Sequence, residues 1–260
     1  MTASSPATPG ASHTNPLGWP LIPIRIALML ALLLVCLPLY YTWRLLHRHR
    51  FWPRVFLAGV GWIAGLRVTL VGTPHKRALF LANHISWLDI PAIAAASGTA
   101  FVAHDGLAQV PLMKTLCEMN DTVFVARHRR ASVAVQAEDV RQALDDTGAL
   151  TLFPEGTTSN GLELLPFKSA LLAAVEPLPD GIAIQPVLLD YGTAGPEIAW
   201  FGDEGGIANF LRILSRWRPI RVTAQFLPPL SSEALASRKA ISAAAQAEIG
   251  AAMRSQAERL

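Results

Sequence analysis

From Ile26 to Trp43 the chain runs for 18 residues without a charge, with the stretch MLALLLVCLPLYY inside it. At about 1.5 Å of rise per residue, a helix of this length approaches the hydrocarbon thickness of a bilayer. The expectation is a membrane helix, either spanning or deeply inserted from one side. Tyr40, Tyr41 and Trp43 gather at its end, and Arg44, Arg48, Arg50 and Arg54 follow, whereas Arg25 alone precedes it. Interfacial aromatics and the positive-inside asymmetry place the C-terminal side of the helix, and the rest of the chain, in the cytoplasm. A cleaved secretion signal is disfavoured, because the run lacks a basic start and an Ala-x-Ala-like cleavage site. Pro38 would kink the helix and leaves spanning and re-entry both open.

Composition agrees with a membrane contact, at 52% hydrophobic and only 16% charged residues. With 22 Lys and Arg against 19 Asp and Glu, the net charge of +3 is too small for a nucleic-acid groove and suits an anionic membrane surface. The two cysteines, Cys36 and Cys117, offer neither a disulfide framework nor metal spacing. Residues 1–20, rich in Ser, Thr, Pro, Gly and Ala, read as a disordered tail. Residues 21–66 read as a membrane-anchoring segment, in which Phe56, Leu57, Val60, Ile63 and Ala64 recur at helical spacing after Pro53.

Residues 67–260 read as one α/β domain. Apolar runs at Arg67–Val71, Ala78–Leu81, Phe101–Val102, Thr122–Val125, Ala149–Phe153, Ile182–Leu189 and Ile220–Phe226 predict strands. Helical stretches between them, including Ala131–Thr147, imply a mostly parallel sheet flanked by helices. Ile241, Ala245, Ile249 and Ala252 mark one face of a final helix.

Two clusters that follow buried strands carry the candidate chemistry. In Asn83-His84-Ile85-Ser86-Trp87-Leu88-Asp89, an acid five residues past the histidine reaches the imidazole when a helix begins near Ser86, holding one ring nitrogen protonated so that the other accepts a proton. No protein nucleophile accompanies the pair, so the hydroxyl would come from a substrate. In Phe153-Pro154-Glu155-Gly156-Thr157-Thr158-Ser159, the glycine and three hydroxyl residues suit an anion-holding turn or, equally, a helix-capping loop. Glu155 reads either as an acid with a specific ligand or backbone partner or as a solvated loop acid. A third cluster, Phe124-Val-Ala-Arg127 followed by His128, Arg129 and Arg130, offers guanidinium groups for a phosphate or carboxylate, with Arg129 and Arg130 read as a basic edge facing lipid headgroups. His104 and Asp105 read as a surface pair, because no further ligand lies at metal spacing.

In order, NHISWLD, TVFVAR about 40 residues on, FPEGTTS, and Ile184-Gln-Pro186-Val187 resemble the four motifs of the glycerolipid acyltransferase family typified by bacterial 1-acylglycerol-3-phosphate acyltransferase. The resemblance implies acyl transfer from an acyl carrier protein or coenzyme A thioester onto a lipid hydroxyl, with no cofactor, metal or covalent acyl-enzyme. It implies His84 as general base and Asp89 as its orienting partner. Phe124, Arg127, Glu155, Gly156, Thr157, Thr158 and Ser159 would bind the acceptor, and Pro186 would shape the site wall. Phosphatidate-forming members usually read Glu-Gly-Thr-Arg-Ser, and here Thr158 replaces the Arg. Ala126 stands where an acid or amide is commoner, and Thr158-Ser-Asn-Gly161 with Leu165-Pro-Phe-Lys-Ser169 is similar to the branch containing lyso-ornithine lipid acyltransferases.

The acceptor expected first is lysophosphatidate, as the commonest in the family, and lyso-ornithine lipid is the alternative. A non-catalytic lipid-binding scaffold and a hydrolase using Ser86 or Ser159 are the readings from other classes. Against the scaffold stand His84, Asp89 and Glu155, all present, and against the hydrolase the lack of a Gly-x-Ser-x-Gly elbow. The partners implied are a membrane, a lysolipid within it and the thioester carrier, with no nucleic acid, at a bacterial-type inner membrane.

Overall fold

The structure is a computed structural model and describes residues 16–46, 50–104, 111–125, 133–175, 178–179 and 181–258. Helices α1 (Leu21–Leu45) and α2 (Phe51–Ala64) come first, followed by strands β1 (Leu66–Val71) and β2 (Ala78–Ala82). Then alternate α3 (Asp89–Ser97), β3 (Ala100–His104), α4 (Pro111–Met119), β4 (Val123–Val125), α5 (Val133–Thr147) and β5 (Ala149–Leu152). The chain closes with β6 (Ala183–Asp190), α6 (Gly195–Ile198), α7 (Gly206–Leu214), β7 (Ile220–Phe226) and α8 (Arg238–Ala257).

The strands form one seven-stranded sheet in the order β1-β7-β6-β2-β5-β3-β4. Strands β6, β2, β5, β3 and β4 run parallel, and β7 turns antiparallel to β6 while pairing in parallel with β1. The two strands flanking Gly72-Thr73-Pro74 therefore do not pair with each other, and β1 lies at the far edge of the sheet. Gly72 fits this return because a Cβ there would stand 2.1 Å from the Phe226 carbonyl oxygen.

Helices cover both faces of the sheet, so β2 and β5 are buried at every residue and show no alternation. Phe80, Ala82, Val187 and Leu189 join Ile93 of α3 and Ile213 of α7 on one face, against which Ile22, Ile26 and Met29 of α1 and Leu57 of α2 also pack. Leu79, Leu81, Ile184 and Leu188 join Val140 and Leu144 of α5 and Ile241, Ala245 and Ile249 of α8 on the other. Burial of each Val, Leu, Ile or Phe among those fully buried contributes about 1.5–3 kcal/mol. The Ser237 hydroxyl caps α8 by accepting from Ala240 N. The predicted face of this helix is the buried one, with Ala252 at its margin.

Helix α1 runs continuously through Pro38, with the Thr42 hydroxyl donating to the Pro38 carbonyl. By length and composition it can cross a membrane. Three of its flanking arginines, Arg25, Arg50 and Arg54, donate to carbonyls of the domain. Arg25 is not a free upstream charge, because it donates to the Leu214 carbonyl at the end of α7 at 2.9 Å. Arg50 donates to the carbonyls of Gly98 and Thr147, and Arg54 to that of Ala95. Arg48 lies outside the described residues, as do residues 1–15 of the expected tail. The end of that tail is ordered: Pro16–Gly18 form a 3₁₀ turn, and Gly18 abuts Ser215 so closely that a Cβ would stand 1.7 Å from its carbonyl oxygen.

Candidate active site

The site lies at the C-terminal ends of three adjacent parallel strands, where open α/β sheets place functional groups. β2 delivers His84, β5 delivers Phe153 to Ser159, and β6 delivers Tyr191. Asn83 fixes the exit from β2. Its fully buried amide donates to the Leu189 carbonyl and accepts from Leu189 N at 3.0 and 2.7 Å, extending the β2–β6 ladder with a side chain.

The next five residues bend back so that Asp89, in the first turn of α3, accepts from His84 Nδ1 at 2.7 Å. The same oxygen, Oδ2, accepts from the backbone N–H groups of Ile85 and Ser86 at 2.6 and 2.9 Å. The other, Oδ1, accepts from the Tyr191 hydroxyl at 2.6 Å. A carboxyl group with no exposure is thus supplied with four donors and stands at a helix N-terminus. With Nδ1 held as the donor, Nε2 is left as the proton acceptor. The imidazole is one-fifth exposed and stacks on Phe153 at 4.1 Å between ring centroids, which limits its rotation.

Glu155 is the second fully buried acid of the site. Its Oε1 accepts from His84 N at 2.7 Å and its Oε2 from Leu165 N at 3.0 Å. Both oxygens are therefore committed to backbone donors, the second of the partners foreseen for it. Desolvation pushes this carboxyl up to about 7, with the charge of Asp89 adding to the rise and the two backbone N–H groups and Lys168 opposing it.

Ser159 N donates to the His84 carbonyl at 2.7 Å, so the two loops clasp each other in both directions. The hydroxyl of Thr158 donates to the Trp200 carbonyl, and Trp200 N donates to the Ile85 carbonyl at 2.9 Å. Trp200 thereby joins both loops. Gly156 adopts φ +67°, and a Cβ there would press on Leu171 at 3.0 Å and on the Lys168 ammonium at 3.4 Å. Thr157 is exposed.

Not every residue named from the sequence meets here. Phe124 lies on β4, three strand positions from β2, or about 14 Å at ordinary strand spacing. Pro186 lies inside β6, in register with Leu81 and therefore within the sheet before the site begins. Arg127 lies outside the described residues, as do Asp105, His128, Arg129 and Arg130. Ser86 and Ser159, the nucleophiles of the hydrolase reading, are buried and accept from the nearby backbone N–H groups of Leu88 and Gly161. Tyr191 and Trp200 were missed. A polar residue directly after a central strand, the same signal that marked His84, was available for Tyr191, whereas nothing local marks Trp200.

A family model described as Acyltransferase matches residues 67–190. The lyso-ornithine lipid O-acyltransferase of Rhodobacter capsulatus is 33% identical over 88% of this chain and 89% of its own. The enzyme of the same name from Rhizobium meliloti is 31% identical over 84% of this chain and 82% of its own. This chain belongs to the lysophospholipid acyltransferase family. The 1-acyl-sn-glycerol-3-phosphate acyltransferase of Neisseria gonorrhoeae is 36% identical over a shorter stretch, 45% of this chain and 48% of its own. In structure, the acyltransferase matches the crystal structure of the 1-acyl-sn-glycerophosphate acyltransferase PlsC from Thermotoga maritima with a TM-score of 0.62 at 21% identity, over 92% of this chain and 99% of that one. That likeness establishes the fold. Membership of a family that acylates membrane lipids, together with the apolar α1, makes this a membrane-associated acyltransferase.

Proposed function

We propose that this acyltransferase moves a fatty acyl group from an acyl carrier protein or coenzyme A thioester to the free hydroxyl of a lysolipid, with His84 as general base. The observation that carries this reading is the His84 Nδ1–Asp89 Oδ2 hydrogen bond beside serine hydroxyls turned to the backbone. The attacking hydroxyl is then the acceptor lipid's own. His84 Nε2 takes its proton as the oxygen bonds to the thioester carbonyl carbon. Collapse of the tetrahedral intermediate breaks the C–S bond, and the proton passes from the imidazolium to the departing thiolate. General-base assistance contributes about 10²- to 10⁴-fold, and orientation of the two lipids together with backbone donors for the oxyanion supplies the rest.

Lyso-ornithine lipid is the acceptor we favour, which reverses the order set by the commonest acceptor of the family. The relatives of that name align along most of their length, and position 158, where phosphatidate-forming members usually place an Arg, carries a hydroxyl committed to Trp200. Lysophosphatidate is the second reading, favoured by the 36% identity to the Neisseria gonorrhoeae relative.

On the membrane, Arg25 near the start of α1 and Arg50 just past its end both donate to carbonyls of the domain, so we place both ends of the helix on one side, and the excess of arginines after it favours the cytoplasmic one. The purified protein, given labelled acyl carrier protein and the two lysolipids side by side, should consume thioester only when lysolipid is added, faster with lyso-ornithine lipid. His84→Ala should lose at least about 10³-fold in turnover. Equal turnover in that variant would end the general-base reading, and faster use of lysophosphatidate would reverse the choice of acceptor.

A further inference from the structure

Three of the four hydrogen bonds to Asp89 converge on Oδ2, and all three come from its own loop. The fourth crosses the sheet. Tyr191, at the end of β6 and 102 residues further along the chain, donates its hydroxyl to Oδ1 at 2.6 Å. The phenol is buried in the core shared with Phe80, Leu88 and Val187, where packing alone would be served as well by phenylalanine. Its backbone is held too: Ala194 N donates to the Tyr191 carbonyl at 3.1 Å, and Asp190 Oδ1 accepts from Gly192 N at 2.8 Å.

We propose that Tyr191 is a positioning residue of the acyl transfer, its hydroxyl setting through Asp89 Oδ1 the orientation and charge that Asp89 presents to His84. This rests on the reading of His84 as general base. Backbone amides hold one carboxylate oxygen and the phenol holds the other, so the carboxylate is fixed at two points and cannot swing about its Cβ–Cγ bond away from the imidazole. A short O–H···O⁻ bond also draws negative charge towards the phenol. Less charge then remains opposite Nδ1, by an amount that the donor strength of the phenol sets. Burial and the neighbouring Asp89 keep the phenol protonated well above the ordinary tyrosine range, so it remains a donor at every working pH.

Among the described residues, the other charged or titratable groups around this chain of contacts are Glu155 and Lys168 beyond β5 and Asp190 beside Tyr191. They are common to all the enzymes compared below. A change in pH profile between those enzymes therefore reports the phenol.

The chain has three tyrosines, Tyr40, Tyr41 and Tyr191. The test uses a Tyr40→Phe/Tyr41→Phe enzyme, in which Tyr191 is the sole tyrosine, in membranes or detergent with thioester and lysolipid. Tyr191→Phe should lower kcat about tenfold and change the lysolipid KM by less than about twofold. It should also move the acid limb of kcat/KM upwards by on the order of half a pH unit. Replacing Tyr191 by 3-fluorotyrosine, a stronger donor, should move the same limb downwards. Added to Asp89→Asn, Tyr191→Phe should cost less than about a further twofold, because the phenol acts through the carboxylate. A residue needed only for packing would lower activity without moving the limb, and could not move it in opposite directions with the two replacements. An unmoved limb, or movement the same way in both, overturns the proposal while His84→Ala remains inactive. Turnover retained in His84→Ala overturns the reading beneath it, without any change at Tyr191. If Tyr191→Phe fails to fold, the fluorotyrosine enzyme decides alone by the presence or absence of the downward shift.

Discussion

The loops after β2 and β5 lie side by side, each following an all-buried strand and each carrying one fully buried acid, yet the two acids are held by opposite means. Asp89 draws three of its four donors from the six residues 84–89 and sits in the first turn of a helix. Glu155 has two donors from separate segments and begins no helix, and its carboxyl rises to about 7. A buried acid supplied by its own loop is held in place against a neighbouring base. One that bridges two loops works as a strap, and burial leaves it poised between its charged and neutral forms near neutral pH.

The contrast can be broken most severely at Asp89. Asp89→Asn should lower kcat about 10³-fold with a small change in lysolipid KM, because the amide no longer fixes the imidazole as an Nδ1 donor. Single-turnover acyl transfer measures this, and a loss below about tenfold would contradict the assignment.

Glu155→Gln should cost far less, about tenfold, and should be visible mainly in how stability depends on pH. The Glu155 carboxyl is near 7 in the folded chain against an ordinary 4.5, so the folded state binds its proton more tightly than the unfolded state does. The resulting stabilisation is complete below pH 4.5 and is lost as pH rises through 7, by about 3 kcal/mol in all. Urea denaturation between pH 4.5 and 8 should show that decline in the parent enzyme and a flatter profile in the Gln variant. Matching profiles would show that Glu155 does not titrate differently on folding.

The smallest effect falls where the strap meets Trp200. Thr158→Val removes one hydrogen bond to a backbone carbonyl and should lower stability by about 1 kcal/mol, measured by the same denaturation, with the preference between acceptors altered only a few-fold. A large loss of acyl transfer in this variant would move Thr158 from the scaffold of the site into its chemistry.

How much of this was legible in the sequence follows the distance between partners. The face of α8 and the His84–Asp89 pair depend on spacings of three to five residues, which a single pass along the chain reveals. The strands at Ile182–Leu189 and Ile220–Phe226 show as apolar runs for the same reason. Glu155 finds its partner in the His84 loop 71 residues away and Tyr191 finds Asp89 102 residues away, across strands whose order no local pattern encodes. Hence the sequence marked Glu155 as an acid needing a partner without saying which, and Tyr191 escaped notice. Arg50 and Arg54 entered the sequence reading only through the positive-inside asymmetry, and their bonds to the carbonyls at the ends of α3 and α5 leave no local signature, because a guanidinium beside a membrane helix looks the same in sequence whatever it meets.

The bond from Arg25 to the Leu214 carbonyl also sets an order of events during synthesis. Its two residues are separated by 189 positions, so at ordinary elongation rates the first turn of α1 leaves the ribosome about 10 to 40 s before the carbonyl that will receive it. Through that interval the partners of α1 emerge one after another, α2 first and then the residues of β2 and α3 that line the core face against which Ile22, Ile26 and Met29 pack. The tether is thus among the last contacts to close, and it ties the beginning of the polypeptide to a part of it made much later.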